Sequence, residues 1–399
     1  MKFLFTFSSF LLFTLIIANQ FDESTSRYCH PAKCPPSTCF CPTTESVLPS
    51  LGQVPQFVML TFDDGVNGIN YETYRSVFNR RHQDTGCPVQ STYFVTHEYT
   101  DYHLVHNLWR RGNEIAVHSI THNRDLKSWL TAPVSLWRAE MGGMKKLISY
   151  FADIPESEIK GIRVPFLQSA GDHTWQAMTE DGFLYDSSVP VRNFVNPPLY
   201  PYTLDMGLVD DCQIEPCPNG RYPGLWEVPM VNWKMYDINL DEDGKPLEVI
   251  CAMVDACVPN PNTTEWAYRY LMDNFMRHYR SNRAPLPVFM HEFWLLNPHR
   301  KEAYFRFIDT LLKMPDVYFT TISEVLDYLR NPVSNDEYKR RINETCIREP
   351  RYTSCGEKYG SINCEYNGLP MFKGWPRYMR VCGHDCPPNY PWLNNPLGN

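Results

Sequence analysis

The sequence predicts an α/β fold in which strands alternate with helices around one core. Short apolar runs recur between residues 54 and 330, and longer segments with helical spacing of apolar residues separate them. Carboxylate, guanidinium and imidazole side chains come directly after several of the apolar runs, where a strand would end. The alternation implies parallel strands, in an open doubly wound sheet or in a barrel. Polar residues at several successive strand ends favour the mouth of a (β/α) barrel.

The predicted elements follow one another without an internal repeat. Strands are expected at Phe57–Phe62, Val89–Val95, Glu114–Val117, Gly161–Val164, Phe183–Tyr185, Leu225–Met230, Val288–His291 and Val317–Thr320. Helices are expected at Tyr71–Arg80, His103–Arg111, Pro133–Tyr150, Thr174–Asp181, Thr264–Arg280, Lys301–Lys313 and Ile322–Leu326. The proline-rich stretch from Pro190 to Gly224 interrupts this alternation and is typical of a long insertion loop.

Both ends of the chain differ from its centre. Residues 1–19 form an apolar stretch behind a single lysine, which is typical of a secretory signal peptide and is too short to span a membrane. Residues 20–53 are rich in cysteine and proline, and residues 331–399 form a cysteine-rich tail without clear periodicity. Neither segment supports its own core, so both are expected to depend on disulfides. The predicted catalytic domain is residues 54–330.

The composition excludes some partners. The formal net charge is −8 and no long basic block occurs, which argues against nucleic acid and against an anionic membrane surface. The 14 cysteines, in a chain with a predicted signal peptide, favour disulfides and an extracellular location. Glycosylation sequons at Asn262 and Asn343 agree with secretion.

Two motifs indicate a metal site. Asp63 and Asp64 end an apolar run, and neighbouring residues at a strand end point to opposite sides, so these carboxylates can serve different tasks. His118 and His122 are four residues apart, which places both imidazoles on one side of a helical turn. One carboxylate with two imidazoles suits Zn²⁺ and leaves positions open for water and substrate. The second aspartate could then accept a proton from that water.

Three more motifs place chemistry at strand ends. Arg163 follows one predicted strand, Asp186 ends another, and His291 ends a third. Asp-Asp-Gly or His-x-x-x-His alone is a weak signal, because both recur in turns and on surfaces. Five such motifs in this order are much more specific. No Gly-x-Ser-x-Gly elbow surrounds a serine, so a serine esterase is disfavoured.

With these motifs the chain resembles carbohydrate esterase family 4, the metal-dependent polysaccharide deacetylases, and most closely their arthropod chitin deacetylases without a separate chitin-binding module. The likeness spans about Gln56 to Arg330. It is carried by Thr61–Asn67, His118–His122, Arg163–Leu167, Tyr185–Ser188, Gly224–Pro229 and His291–Leu295, with Cys87, Cys212, Cys217, Cys251 and Cys257. The resemblance implies a distorted (β/α) barrel of about seven strands, with disulfide-tied extensions at both ends.

The resemblance also implies roles for the motif residues. Asp64, His118 and His122 would hold Zn²⁺ or another divalent metal such as Co²⁺. Asp63 would act as general base on the metal-activated water that attacks the acetamide, and Arg163 would pair with Asp63 and keep it ionised.

Other roles concern the leaving group and the sugar. His291 would protonate the leaving nitrogen, supported by Asp186 or, as a rival, by Glu227. A backbone N–H near Phe166 would bind the oxyanion together with the metal. Trp226 and Trp294 are expected either to stack on sugar rings or to belong to the aromatic core.

The function predicted on this basis is removal of N-acetyl groups from chitin or a chitin-like N-acetylglucosamine polymer by a secreted metal-dependent hydrolase. The alternatives are a catalytically silent chitin-binding or matrix-organising protein and a deacetylase for another acetylated polysaccharide or for O-acetyl esters. The tail after Asn331 is longer and richer in cysteine than the family pattern. Two interpretations are open, a strap across the closed face of the barrel and a sugar-binding patch, and the first is favoured.

Overall fold

A computed structural model describes residue 29, residues 34–35, 38–209, 212–240, 244 and 246–399. The predicted signal peptide, residues 1–19, lies outside this part of the chain. Within it, no helix combines the length and the apolar character needed to cross a bilayer.

The strands form one large sheet and three small pairs. In chain order they are β1 Gln56–Asp63, β2 Ser91–Val95, β3 Glu114–Val117, β4 Gly161–Ile162, β5 Tyr185–Asp186, β6 Pro190–Val191, β7 Tyr202–Leu204, β8 Tyr222–Glu227, β9 Met230–Val231, β10 Trp233–Leu240, β11 Pro246–Cys251, β12 Leu286–His291, β13 Val317–Phe319, β14 Ser361–Tyr366 and β15 Arg377–Cys382. The large sheet runs in the order β12-β1-β2-β3-β4-β5-β8-β7, and β13 pairs with the start of β1. The run from β12 to β8 is parallel, and β7 is antiparallel to β8.

Helices connect most of the parallel strands. They are α1 Gly68–Phe78, α2 Tyr102–Trp109, α3 Leu126–Leu130, α4 Val134–Trp137, α5 Gly143–Phe151, α6 Asp172–Glu180, α7 Thr264–Arg280, α8 Pro298–Leu311, α9 Ile322–Arg330, α10 Asn335–Thr345 and α11 Cys355–Lys358. A π-helical turn, Arg138–Gly142, joins α4 to α5. The predicted single helix at Pro133–Tyr150 is therefore two helices with a wider turn between them.

The parallel strands curve around a filled interior. The Arg163 side chain, at the end of β4, reaches Thr61 on β1 and lies between the rings of Phe94 on β2 and Phe289 on β12. One side chain can contact these strands together only if the sheet curls toward itself. On the far side, the Trp233 indole at the start of β10 donates to the Pro287 carbonyl of β12. The predicted distorted (β/α) barrel of about seven strands is confirmed.

Several elements were not predicted. The β10–β11 hairpin, the β14–β15 hairpin and α10 lie in segments whose sequences have weak periodicity. In the β14–β15 hairpin, exposed residues interrupt the buried positions, so period-two alternation is lost. The pairing of β14 with β15 is instead reinforced by nearby covalent links.

The described cysteines form seven disulfides. Cys29–Cys41 and Cys34–Cys39 tie the N-terminal segment. The other pairs are Cys87–Cys346, Cys212–Cys217, Cys251–Cys257, Cys355–Cys382 and Cys364–Cys386, three of which involve the tail. The expectation of disulfide-tied extensions is confirmed. The domain bounds 20–53, 54–330 and 331–399 stay a prediction.

The tail is a strap over the closed face only in its first part. Cys346 is bonded to Cys87, which precedes β2, and Tyr352 stacks on Trp109 just before β3. Further along the chain, Tyr390 and Trp392 pack against His97, which follows β2. The tail thus runs from the N-terminal ends of the strands to their C-terminal ends. We call this second edge the rim, and the tail reaches it because β14–β15 packs along α2.

Gly65 lies at the rim where the loop after β2 leaves no room for a side chain. A β-carbon at this residue would lie 3.0 Å from the Glu98 carbonyl oxygen and 3.1 Å from Thr100 Oγ1. The loops after β1 and β2 are therefore packed backbone against backbone. We expect Gly65→Ala to lower the free energy of unfolding by about 1–3 kcal/mol, as overpacking does. Gly52→Ala is the matched control, since a β-carbon there meets nothing within 4 Å. Equal urea midpoints for the two variants would contradict this expectation.

Candidate active site

Asp63 is the last residue of β1 and lies in the middle of the parallel sheet. In register it stands beside His291 of β12 on one side and Phe94 of β2 on the other. β1 is buried along its whole length, so the Asp63 carboxylate is delivered into the barrel interior. The next residue, Asp64, takes a left-handed conformation with φ 81° and turns its side chain toward solvent. The prediction that these neighbours face different surroundings is confirmed.

Arg163 fills the space below Asp63 and is completely buried. Nη1 donates to Asp63 Oδ1 and to Thr61 Oγ1, both at 2.8 Å. Nε donates to the Ser187 carbonyl at 2.8 Å, and Nη2 donates to Ser187 Oγ at 3.0 Å. The guanidinium carbon is 4.1 Å from the ring centre of Phe94 and 4.3 Å from that of Phe289. Arg163 thus has a fixed position, which fixes Asp63 in turn.

The surroundings of Asp63 keep it ionised. Burial alone would raise its pKa, but the charge of Arg163, then His118 and His291, and the Arg163 hydrogen bond outweigh burial and lower the pKa below its ordinary value. A buried carboxylate that stays charged at neutral pH, with one oxygen held by a cation, can accept a proton at its other oxygen.

The predicted ligands Asp64, His118 and His122 come together; we call them the metal-ligand cluster. One ligand atom from each lies within 4.8 Å of the others. His122 Nε2 is 3.7 Å from Asp64 Oδ1, and the His118 and His122 ring centres are 4.9 Å apart. A carboxylate and two imidazoles are a donor set that Zn²⁺ and related divalent ions bind, so the residues fit the predicted metal.

The orientation of both imidazoles suits coordination. His118 Nδ1 lies 2.7 Å from the Arg163 carbonyl oxygen, which requires Nδ1 to carry the proton and leaves Nε2 as the lone-pair nitrogen. Burial first, and then the neighbouring His118, lowers the pKa of His122 to about 4, so that its ring is neutral near pH 7. Arg163 therefore serves both parts of the site, with its side chain on Asp63 and its carbonyl on His118.

The loops that carry these residues have strained backbones. Positive φ angles occur at Asp64, Ser119, His122, Phe166 and Leu167, which follow β1, β3 and β4. Such angles disfavour ordinary side chains and concentrate where a protein must aim functional groups. His118 and His122 are brought together by a left-handed turn at Ser119, whose Oγ accepts the His122 N–H, and not by the helical turn predicted from their spacing.

Glu140 supports this turn and was missed by sequence reasoning. One carboxylate oxygen accepts the backbone N–H groups of Ile120 and Thr121 at 3.0 and 2.9 Å, and the other accepts the Thr121 hydroxyl at 2.6 Å. Glu140 is buried and sits in the π-helical turn, whose extra residue aims the side chain at the loop. A carboxylate thereby satisfies the peptide between the two imidazole ligands. A lone glutamate within an apolar helical pattern was the available signal.

His291 has a partner that sequence reasoning did not name. Its Nδ1 lies 2.7 Å from Asp255 Oδ2, which also accepts the His291 backbone N–H. Asp255 sits in a one-turn helix, Val254–Ala256, inside the loop that the Cys251–Cys257 disulfide closes. Burial tends to lower the pKa of His291, but the hydrogen bond that its Nδ1–H donates to Asp255 and the charge of Asp63 raise the pKa to about 9. His291 is therefore cationic at neutral pH.

The interpretation of Asp186 as the support of His291 is wrong, and so is its rival Glu227. Asp186 Oδ1 accepts the Ser188 hydroxyl at 2.6 Å, and Oδ2 accepts the Ser188 backbone N–H. Ser188 Oγ in turn accepts the Val164 N–H, next to Arg163. Asp186 and Glu227 are register partners in β5 and β8, fully buried, and burial raises the pKa of both. Asp186, through Ser188, holds the backbone next to Arg163.

Trp226 and Trp294 were predicted either to stack on sugar rings or to belong to the aromatic core, and the structure buries both. Trp226 is 3% exposed and packs on Phe40 of the N-terminal segment, and Trp294 is 1% exposed with its indole N–H donated to Asn260 Oδ1. Stacking on a sugar is wrong for both, because core contacts cover their rings. Phe166 is 46% exposed, and its ring centre lies 4.7 Å from that of His122. Phe293, not predicted, is 57% exposed beside His291.

The assembled site combines a base and an acid with a metal-binding position. Asp63 is an ionised carboxylate, His291 is a protonated imidazole, and the two stand side by side across β1 and β12. Environments that push two titratable groups in opposite directions are typical of acid–base catalysis. The arrangement can therefore support acid–base chemistry next to a metal-binding position.

Comparisons with known proteins agree with this chemistry. The model of the family described as polysaccharide deacetylase matches residues 52–185, which contain Asp63, Asp64, both imidazole ligands and Arg163. The chain is 38% identical to chitin deacetylase 8 of Bombyx mori, with full coverage of both chains. It is 36% identical to chitin deacetylase 1 of Bombyx mori, over 95% of this chain and 70% of that protein.

A solved structure is similar at the level of the fold. A putative polysaccharide deacetylase from Mycobacterium smegmatis has a TM-score of 0.45 and 21% sequence identity, covering 73% of this chain and 95% of its own. The family assignment rests on the sequence relatives, because a likeness at this TM-score carries no functional argument.

Glu140 provides a test of how the metal-ligand cluster is held. We expect Glu140→Ala to weaken Zn²⁺ binding about 10- to 100-fold, as loss of a group that orients metal ligands does. The reason is that Ile120 and Thr121 lose their acceptor and the turn between His118 and His122 relaxes. Zn²⁺ affinity is measured by competition with a chromogenic chelator. Glu180→Ala, which removes a surface partner of Arg138, is the matched control; a similar loss in both variants would contradict the role of Glu140.

Proposed function

The chain belongs to the chitin deacetylases of the polysaccharide deacetylase family and is a deacetylase, and on this premise we propose that it is a secreted, metal-dependent hydrolase that removes N-acetyl groups from chitin or a chitin-like N-acetylglucosamine polymer. One observation carries the proposal: the metal-ligand cluster, the Asp63–Arg163 pair and the His291–Asp255 pair converge at one rim. The names of both Bombyx mori relatives support the substrate class.

The metal would be held by Asp64, His118 and His122, and Zn²⁺ suits these donors best. When bound, it would supply Lewis acidity that makes water nucleophilic near neutral pH and polarises the acetyl carbonyl. Both histidines are fixed in advance of metal binding. The Arg163 carbonyl orients the His118 ring, and Ser119 Oγ holds the His122 backbone N–H.

The proton movements are assigned to two residues of the chain. Asp63 takes a proton from the attacking water at Oδ2, because Oδ1 is engaged by Arg163. His291 gives a proton to the departing glucosamine nitrogen from Nε2, because Nδ1 is engaged by Asp255. The amine is a poor leaving group until it is protonated, so a cationic imidazole at this position is essential for bond cleavage. The exposed Phe166 ring lies beside His122 and the exposed Phe293 ring lies beside His291, and both offer apolar surface to the substrate.

Disulfides and glycosylation sequons support secretion. Seven disulfides form in an oxidising compartment and are rare in the cytosol. The sequons at Asn262 and Asn343 both lie on exposed residues, where glycosylation needs them. The apolar stretch in residues 1–19 would direct the chain into the secretory pathway.

The decisive experiment measures acetate release. Metal-replete protein should release acetate from chitooligosaccharides, chelation should stop the release, and added Zn²⁺ should restore it. Asp63→Asn should lower kcat at least about 100-fold, because general-base catalysis contributes about that much or more. Calorimetric Zn²⁺ affinity should stay close to wild type in Asp63→Asn, which separates loss of the base from loss of the metal.

Two outcomes would favour other functions. Binding of chitin without acetate release under any metal condition would support a catalytically silent chitin-binding protein. Faster release from O-acetylated xylan than from chitooligosaccharides would support a deacetylase for esters.

Asp255 gives a prediction about pH. Asp255→Asn removes the negative charge that raises the pKa of His291 and leaves only a neutral acceptor for its Nδ1–H. His291 acts in its protonated form, so a lower pKa means that the acid is lost at lower pH. We expect the alkaline limb of the kcat/KM profile to move to lower pH, with the acidic limb little changed. Asp273→Asn, on α7, is the control. An unmoved alkaline limb would show that another group sets it.

A further inference from the structure

We propose that a groove between the tail and the segment after His122 binds another sugar unit of the glycan chain whose acetyl group is at the metal-ligand cluster. The inference rests on the proposed function and extends it to the length of substrate that the enzyme prefers. The groove, called here the tail groove, is built partly from residues outside the matched family region.

The tail groove has two walls of different origin. Met371, Phe372 and Trp392 of the tail form one wall. Asn123 and Ser128, from the segment that follows the second imidazole ligand, belong to the other wall. Its volume of about 350 Å³ falls in the lower part of the usual range for small-molecule sites, roughly 300–1,000 Å³.

The groove adjoins the loop that carries the second imidazole ligand of the candidate active site. Thr121 lines the groove and is followed immediately by His122, so one loop contributes to both. A ligand that occupies only the groove would leave the metal-ligand cluster empty, whereas a polymer can fill both positions. The occupant that this arrangement favours is therefore a neighbouring unit of the same chain.

The lining suits a neutral sugar. Met371, Phe372 and Trp392 present apolar and aromatic surface, and Asn123 and Ser128 supply amide and hydroxyl groups. A pyranose has an apolar face and hydroxyl edges, so it matches a site with this combination. Among the described residues that line the groove there is no lysine or arginine, which disfavours an anionic glycan. The Glu140 carboxylate in the lining is engaged by backbone N–H groups.

The tail wall is held in place before any ligand arrives. Trp392 packs edge-on against Phe372, with ring centres 4.9 Å apart, and Tyr390 stacks on the buried His97 at 4.7 Å. The Cys364–Cys386 disulfide joins β14 to the segment that leads to Tyr390. A wall fixed in this way binds with little loss of conformational entropy.

The experiment compares substrates of different length. Acetate release is measured with the N-acetylglucosamine dimer and hexamer for the wild type, Ser128→Trp, which fills the groove, and Met371→Ala, which removes part of its apolar wall. Trp375→Ala is the matched control, because Trp375 is 70% exposed in the same turn of the tail and does not line the groove. We expect Ser128→Trp to lower the ratio of hexamer to dimer kcat/KM about tenfold, equal to about 1.4 kcal/mol of binding free energy. Met371→Ala should change the ratio in the same direction, and Trp375→Ala should leave it unchanged.

The possible results separate this inference from the proposed function. An unchanged ratio in both groove variants would overturn the inference, and so would an equal change in Trp375→Ala. If the wild type releases no acetate from any oligomer, the proposed function fails, and hexamer binding is then measured by calorimetry. Weaker binding in Ser128→Trp but not in Trp375→Ala would still support the groove, and equal binding in both would overturn it.

Discussion

The buried ion pair between Arg163 and Asp63 is the interaction on which the site depends. Two opposite charges lie inside the barrel, where desolvation is costly, and they are tolerated because each polar group of the guanidinium has a partner and two aromatic rings enclose it. Removing one partner of such a pair costs about 3–5 kcal/mol, since the other charge remains buried. The same contacts tie β4 to β1 and β5 at their ends. Stability of the barrel and ionisation of the base therefore have one physical origin.

The metal-ligand cluster is coupled to this pair through the backbone. The Arg163 carbonyl accepts from His118, and the loop from His118 to His122 is held open by Glu140. Left-handed residues in these loops are stabilised by the packing around them and not by local preference. A rigid interior thus imposes strained conformations on the rim, where short polar loops alone would relax. This explains why a site made of loop residues can be preset for a cation.

The site residues at strand ends were predictable from sequence, and the residues that reach the site from other loops were not. Asp63, Asp64, His118, His122, Arg163 and His291 come after apolar runs, and parallel strands place such residues along one edge. Asp255 follows no predicted strand of the barrel, and a disulfide loop brings it to His291 from 36 residues away. Trp226 lies on β8 and Trp294 lies in the short 3-10 helix after His291, and both rings are buried in the core although motif residues are close in sequence. The sequence pattern thus predicted which residues lie at the rim, whereas the tertiary structure was needed to show which way the neighbouring side chains point.

The two titratable pairs distinguish turnover from simple sugar binding. A protein that only holds chitin has no need for a buried carboxylate kept ionised beside an imidazole kept protonated, since both arrangements cost desolvation free energy. Here Arg163 and Asp255 act on opposite sides of one register pair, Asp63 and His291, and shift their pKa values in opposite directions. Such opposite shifts are what the proposed proton transfers require, from water to Asp63 and from His291 to the leaving nitrogen. The proposed catalysis accounts for this desolvation cost, because a buried carboxylate and a buried imidazolium would add little to the affinity for a neutral glycan.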